Sequence, residues 1–228
     1  MIGRFLITLF SLFALLAEPP VGGGCIQKLA PDGTWAEYQV EIKLGGQGLN
    51  SSWLIRSVGQ FTHNGQACRW IEMQQSSQYP GFKNLTWRCL VPESEFGEGK
   101  FPLGKAVKVW QKAEGEEAQS VDSIISKDAL FGALMKGPDK ALKTEDTAEV
   151  VKWQGGSYEC QVHSGDSEAS LRGQDAIIHH HVYRNADAPF QLGGLLWEVD
   201  AAGQTVTIKM TLEKQGTDAK AQYPDLGI

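Results

Sequence analysis

The chain of 228 residues carries 27 acidic and 21 basic side chains for a formal charge of −6, and its Lys and Arg are scattered singly among Asp and Glu. That is the pattern of a solvated surface, and with no basic block to neutralise phosphates it argues against nucleic acid as a partner. The length suits one β-rich domain or two small ones and is ample for a real core.

The first element in chain order reads as an export signal. Arg4 precedes an apolar run from Phe5 to Ala17, free of charge and interrupted only by Thr8 and Ser11, followed by Glu18-Pro19-Pro20. The run is shorter than the about 20 residues that a membrane-spanning helix needs, so residues 1–24 are expected to be a signal peptide. Two cleavage positions fit. Cleavage after Ala17 would release a soluble chain. Cleavage before Cys25, in Val21-Gly22-Gly23-Gly24-Cys25, would resemble a bacterial lipoprotein box, with acyl chains on Cys25, although Gly22 stands where such boxes usually have Leu. The expected location is periplasmic, secreted or lipid-anchored at the cell envelope. Membrane contact comes only through the signal or the N-terminal lipid, and residues 25–228 form a single β-rich domain.

Trp35 to Leu44 alternates Ala36, Tyr38, Val40, Ile42 and Leu44 with Glu37, Gln39, Glu41 and Lys43, the period of a half-buried strand. Further strands are expected over Ser52–Val58, Ala67–Gln74, Asn84–Val91, Ala106–Lys112, Val150–Trp153, Ser157–His163, Ala176–Tyr183, Leu195–Val199 and Thr205–Glu213. Turns are expected at residues 45–48, His63-Asn64-Gly65, Gln154-Gly155-Gly156 and Ala201-Ala202-Gly203. All seven tryptophans fall in these segments, and the first four (Trp35, Trp53, Trp70, Trp87) are 18, 17 and 17 residues apart, the step of an antiparallel meander. Core packing is the plain role for them; Trp53, Trp70, Trp87, Trp110 and Trp197 are the candidates for lining a ligand pocket.

A hairpin closing around Ser76 to Phe82 would set Trp70 opposite Trp87 and Cys68 opposite Cys89 on one sheet face. Directly opposed positions are within disulfide reach, and an exported chain meets an oxidising compartment, so a Cys68–Cys89 disulfide is expected. Cys160 is left to pair with Cys25 or to remain a buried thiol. No cysteine spacing matches a zinc ribbon or a redox pair.

One short helix is expected from a cap at Ser126 or Asp128, with Leu130, Phe131, Leu134 and Met135 on one face and Gly137-Pro138 at its end. It would cover one open end of the sheet. The charged stretch 136–149 reads as a long loop. Gly97-Glu98-Gly99-Lys100 lacks the remaining positions of a P-loop and reads as a turn. Gly165-Asp166-Ser167 superficially matches a hydrolase nucleophile block, but Glu168 follows it and the segment lies late in the chain. Asn50-Ser51-Ser52 and Asn84-Leu85-Thr86 are formal glycosylation sequons, meaningful only in a eukaryotic host.

In a strand, His179 and His181 project to one face and His180 to the other, so the first two could offer nitrogens to one metal. His163 or His63, with Asp166 or Asp175, would complete the shell only if the fold brings it close. A polar strand end is the simpler alternative.

The fold class that follows is mainly β: a curved antiparallel sheet, half-barrel or two-sheet sandwich, with one short covering helix. The signal, Cys25, the meander and the helix together give an architecture that resembles the LolA/LolB superfamily of lipoprotein carriers. The segments carrying the resemblance are Trp35 to Leu44, the Trp70/Trp87 hairpin, and Ala188-Pro189-Phe190 leading into Leu195-Leu196-Trp197-Glu198-Val199. The resemblance implies a sheet folded around a hydrophobic cavity closed by helices. Members usually place a helix before the first strand and an Arg inside the cavity; here a strand begins almost at once and no Arg is singled out.

Three functions follow as expectations. The first is a non-enzymatic exported protein that binds a lipid or apolar small molecule in the concavity of its sheet, with no cofactor. The second is an envelope or surface protein whose sheet face docks a partner protein without a pocket. The third is a metal-dependent enzyme using His179 and His181.

Overall fold

The computed structural model describes residues 24–44, 47–77, 83–122, 135–137, 142–171 and 174–224. The expected export signal, residues 1–24, lies outside them except for Gly24, and so does the expected helix except for Met135 to Gly137.

Alternation builds the first strand as its sequence implies. In β1 (Trp35–Leu44) the side chains of Ala36, Tyr38 and Val40 are buried, while Gln39 and Lys43 are exposed on the other face. From there the chain runs as a meander through β2 (Gln47–His63), β3 (Gln66–Ser77), β4 (Leu85–Pro92), β5 (Lys108–Ala113) and β6 (Gln119–Ser120) to one sheet edge. It then crosses to the opposite edge and meanders back through β7 (Lys143–Trp153), β8 (Gly156–Leu171), β9 (Gln174–Arg184), β10 (Gly194–Ala201) and β11 (Gln204–Gly216). Strand β11 pairs with β1, which completes one antiparallel sheet of 11 strands in the order β6-β5-β4-β3-β2-β1-β11-β10-β9-β8-β7. The expected mainly-β, curved antiparallel architecture is what forms, and the sheet is open at β6 and β7.

The curvature is visible in hydrogen bonds that skip strands. The Gln154 N–H donates to the Glu213 carbonyl at 3.0 Å and the Gln215 amide donates to the Tyr158 hydroxyl at 2.7 Å. These bonds reach from the β7–β8 hairpin to β11 across β9 and β10. The main core fills the same face: Tyr38, Ile55, Ile71, Trp197, Phe190 and Leu195 are each at most 1% exposed. The Tyr38 hydroxyl donates to the Leu192 carbonyl at 3.0 Å, which satisfies a buried polar group and ties the β9–β10 connection to β1.

The opposite face of β2–β5 is also covered. Val58, Cys68, Trp70 and Leu90 form a second cluster, against which Phe61, Trp110, Ala219 and Ala221 pack. Residues 217–223 lie across this face: Ala219 N–H donates to Gly33, Gln222 N–H donates to the Glu72 carboxylate, and Arg88 donates to the Tyr223 carbonyl.

This double burial decides the register of the central hairpin and corrects the expected disulfide. Cys68 stands opposite Pro92, Trp70 opposite Leu90, Ile71 opposite Cys89 and Met73 opposite Trp87. The pairing is offset from expectation by an odd number of residues, which turns one set of side chains to the other face. Trp70 and Cys68 therefore share the second cluster, while Trp87 and Cys89 belong to the main core. Cys68 and Cys89 cannot be bridged across the sheet, and all four cysteines are buried. Cys25, the alternative acylation site, is 3% exposed within the main core. Burial pushes its thiol up to about 12, with the Arg184 charge working the other way.

The expected loop over 136–149 is also corrected, since Lys143 to Glu149 belong to β7. This is an edge strand, polar and exposed on both faces over most of its length. Such edges carry charge rather than alternation, so the period that marks β1 is absent. Gly165-Asp166-Ser167 lies in the middle of β8, paired with His180, His179 and Ile178, and so forms no nucleophile turn.

Candidate functional site

The tryptophans nominated for a pocket do not converge. Trp87 and Trp197 are buried in the main core and Trp53 packs at its margin, whereas Trp70 and Trp110 belong to the opposite face. As a set, they hold the sheet's two faces together.

The histidine pair falls where strand alternation puts it. His179 and His181 share one face of β9, and His180 is buried on the other. His179 is engaged on both sides: Nδ1 lies 2.8 Å from the Asp166 carboxylate and Nε2 3.4 Å from that of Asp200. The hydrogen bond to Asp166, followed by the other carboxylate contacts, holds its pKa above the ordinary histidine value. His181 faces Glu145 at 3.7 Å. His163 pairs with Val182 and therefore lies on the opposite face from His181, beside Thr144. His63 sits at the β2–β3 turn, next to Asn64. Among the described residues no group of three or more His, Cys, Asp or Glu is placed to hold a metal ion. The geometry is that of an imidazole ring held between two carboxylates, an arrangement that favours its protonated form. His180 shows the reverse effect: burial lowers it to about 4, and its neutral ring meets the Ser167 hydroxyl at 2.7 Å.

One cleft of the described surface, about 460 Å³, is lined by Ser, Asn and Gln residues, from Gln39 of β1 to the neighbouring ends of β2, β3 and β4, and no aromatic or aliphatic side chain lines it. The other, about 330 Å³, lies between the 28–34 segment, Trp153 at the end of β7, the 187–190 turn and residues 215–217 at the end of β11. Its walls combine Pro31, Pro189, Phe190 and the Trp153 ring with a few polar groups, namely Lys28, Thr34, Asp187 and Gln215.

Each wall has a local cause. The Trp153 ring lies against the backbone of Gly155, where an added Cβ would come within 2.2 Å of the indole. It also stacks on Tyr158, with ring centroids 6.0 Å apart and planes inclined by 15°. Facing it, Phe190 and Gln191 hold φ of 57° and 58°, the left-handed region that costs a residue with a side chain about 1–3 kcal/mol. Complete burial of Phe190 contributes about 1.5–3 kcal/mol, which offsets the strain of one of these two residues. Lys28 is drawn to the Ala186 carbonyl at 2.9 Å and fixes the N-terminal segment beside the turn.

The sequence reading passed over Trp153, Phe190 and Gln215 as site residues. The turn after Trp153 was legible, but the meeting of residues 153 and 215 exists only once the sheet curls.

No family model matches the chain, and no curated protein does. Among solved structures, a DUF1329 family protein from Desulfovibrio piger is similar in fold over 86% of this chain and 86% of its own, with 12% identity and a TM-score of 0.38. That likeness is too distant to transfer any residue's role.

Proposed function

We propose that this is an exported, non-enzymatic binding protein whose cleft beside Trp153 takes one small, largely apolar molecule with a polar end. The observation that carries the reading is the cleft itself: aromatic and proline walls, a few polar groups at defined places, and a wall turn held in left-handed backbone. The leader-like start of the sequence supports the exported part. At about 330 Å³ the cleft is at the small end of the about 300–1,000 Å³ typical of small-molecule sites. It therefore suits a single small ligand or the end of one chain, not the several acyl chains of a whole lipoprotein. A carrier of lipid in the sense of the LolA/LolB superfamily would need more room than these described walls enclose.

Docking a partner protein on a bare sheet face has less support. The exposed large apolar side chains among the described residues are Val107 just before β5, Val150 on β7 and Ile177 on β9, and the apolar back of β2–β5 is already covered by residues 219 and 221.

The test is native mass spectrometry of the protein purified from its envelope fraction, followed by titration with N-phenyl-1-naphthylamine. A releasable mass of small-molecule size, or saturable binding that Trp153→Ala abolishes, supports the cleft. Absence of both, in a protein whose far-ultraviolet spectrum shows intact sheet, would overturn it.

A further inference from the structure

Gly24 and Cys25 are built into the fold, and that bears on how the chain is processed. From residue 24 to residue 27 the chain is buried without a break; Cys25 is 3%, Ile26 1% and Gln27 3% exposed. The backbone is paired as well. Gly24 N–H donates to the Lys100 carbonyl at 3.0 Å, Cys25 N–H donates to the Met135 carbonyl at 3.2 Å, and the Gln27 carbonyl accepts the Gly97 N–H at 2.8 Å. Arg184, itself buried, donates to the Gly24 carbonyl at 3.2 Å. Position 24 also needs glycine, since a Cβ there would stand 2.5 Å from the Phe101 ring and 2.8 Å from the Met135 carbonyl oxygen.

We propose that the chain is cut upstream of Gly24, the Ala17–Glu18 bond being the one its sequence offers, and that Cys25 stays an unacylated thiol in the core of a protein without a lipid anchor. The inference rests on the exported part of the proposed function and adds how the exported chain is held. Lipid attachment would put a diacylglyceryl thioether on Cys25 Sγ and then hydrolyse the Gly24–Cys25 bond. Both changes conflict with the fold. The thioether would drive two acyl chains into a packed core or pull Cys25 out of it, because no exposed tether separates Cys25 from the buried residues that follow. The cut would take the Gly24 carbonyl away from Arg184 and leave a buried guanidinium without that partner. The choice matters for the cleft. Lys28, close behind Cys25 in the chain, lines it, so a lipid on Cys25 would hold the cleft at the membrane surface, whereas a start upstream leaves it free of the bilayer.

The test is intact-mass spectrometry of the protein made with its own leader in a bacterium that produces lipoproteins, recovered from the envelope fraction and the medium. Cells are grown with and without globomycin, which blocks the peptidase that cuts before acylated cysteines. The expected result is an N-terminus between Glu18 and Gly24, an underivatised Cys25, and processing unaffected by the inhibitor. Cys25→Ser should be cut as the unaltered chain is; were the chain a lipoprotein, that variant would accumulate uncut. A chain that begins at Cys25 and carries diacylglyceryl, or a precursor that accumulates in globomycin, would overturn the inference and leave the export reading standing. A chain that keeps Met1 without the inhibitor would overturn both. The masses are read on the unaltered protein, so the result does not depend on Cys25→Ser folding.

Discussion

Glu72 and Arg88 face each other across β3 and β4 at 3.5 Å, with side chains only 1% and 4% exposed. The separation is a charge contact and too long for a strong hydrogen bond. The pair is supported from outside: Arg88 lies over the Trp70 ring at 4.3 Å, Glu72 accepts the Gln222 N–H at 2.9 Å, and Arg56 approaches Glu72 at 3.6 Å. Removing the carboxylate leaves the Arg88 charge buried. Glu72→Ala should therefore destabilise the protein by about 3–5 kcal/mol in urea unfolding, and it should speed proteolysis near residues 218–223, which lose an anchor. A loss below about 1 kcal/mol, the scale of an exposed pair, would show that Arg88 finds water in the folded state.

The four thiols give a second prediction. Cys25 and Cys89 are pushed up to about 12 and Cys160 to about 11, all by burial, so at pH 8 they remain protonated and enclosed. Native protein should resist iodoacetamide, and protein unfolded without reductant should gain four adducts. Recovery of only two adducts, with peptide mapping that joins Cys68 to Cys89, would overturn the register described for β3 and β4.

That register shows where sequence reading stops. The alternation of Trp35 to Leu44 was legible because one face of β1 is buried and the other is wet. In β3 and β4 both faces are buried: Cys68 to Met73 and Thr86 to Pro92 are enclosed without a break. Pattern cannot then choose between registers of opposite parity. Matching Trp with Trp and Cys with Cys selected the wrong one. β7 failed for the opposite reason, being polar on both faces. The cleft was less legible still, because Trp153, Phe190 and Gln215 meet only through the curl of β7–β11, which no local pattern records. The histidines were placed on the right face, but the carboxylates that occupy His179 come from β8 and β10.

His179 supplies a prediction with a definite sign. Its folded pKa is raised above 6.5, first by the Asp166 hydrogen bond, so the protonated ring is favoured by folding. The stabilisation is fully present below 6.5 and is lost as pH rises through the higher folded value. Asp200 is lowered from 3.8, first by the Thr205 hydroxyl and then by His179. Its contribution is present above 3.8 and is lost as pH falls through the lower folded value. These side chains are exposed, so the effects are small and best read by NMR titration of the imidazole. Asp166→Asn should lower the His179 pKa more than Asp200→Asn does. A larger effect of Asp200→Asn, or a folded value below 6.5, would refute the order of partners.

Gly155 allows the cleft to be tested apart from the core. Its backbone passes beneath the Trp153 indole, and a Cβ there would approach the ring to 2.2 Å. The ring must move, and because Trp153 is only half-buried it can swing outward at the low end of the about 1–3 kcal/mol that overpacking costs. Moving the ring also breaks its stack on Tyr158 and reshapes the wall next to Gln215. Gly155→Ala should therefore weaken N-phenyl-1-naphthylamine binding by about tenfold or more, equivalent to about 1.4 kcal/mol, while lowering stability by about 1 kcal/mol. The double variant Gly155→Ala/Trp153→Ala should bind no worse than Trp153→Ala alone, since the methyl acts only through the ring it displaces. A further loss in the double variant would place the effect of Gly155 elsewhere in the β7–β8 turn, independent of the Trp153 ring.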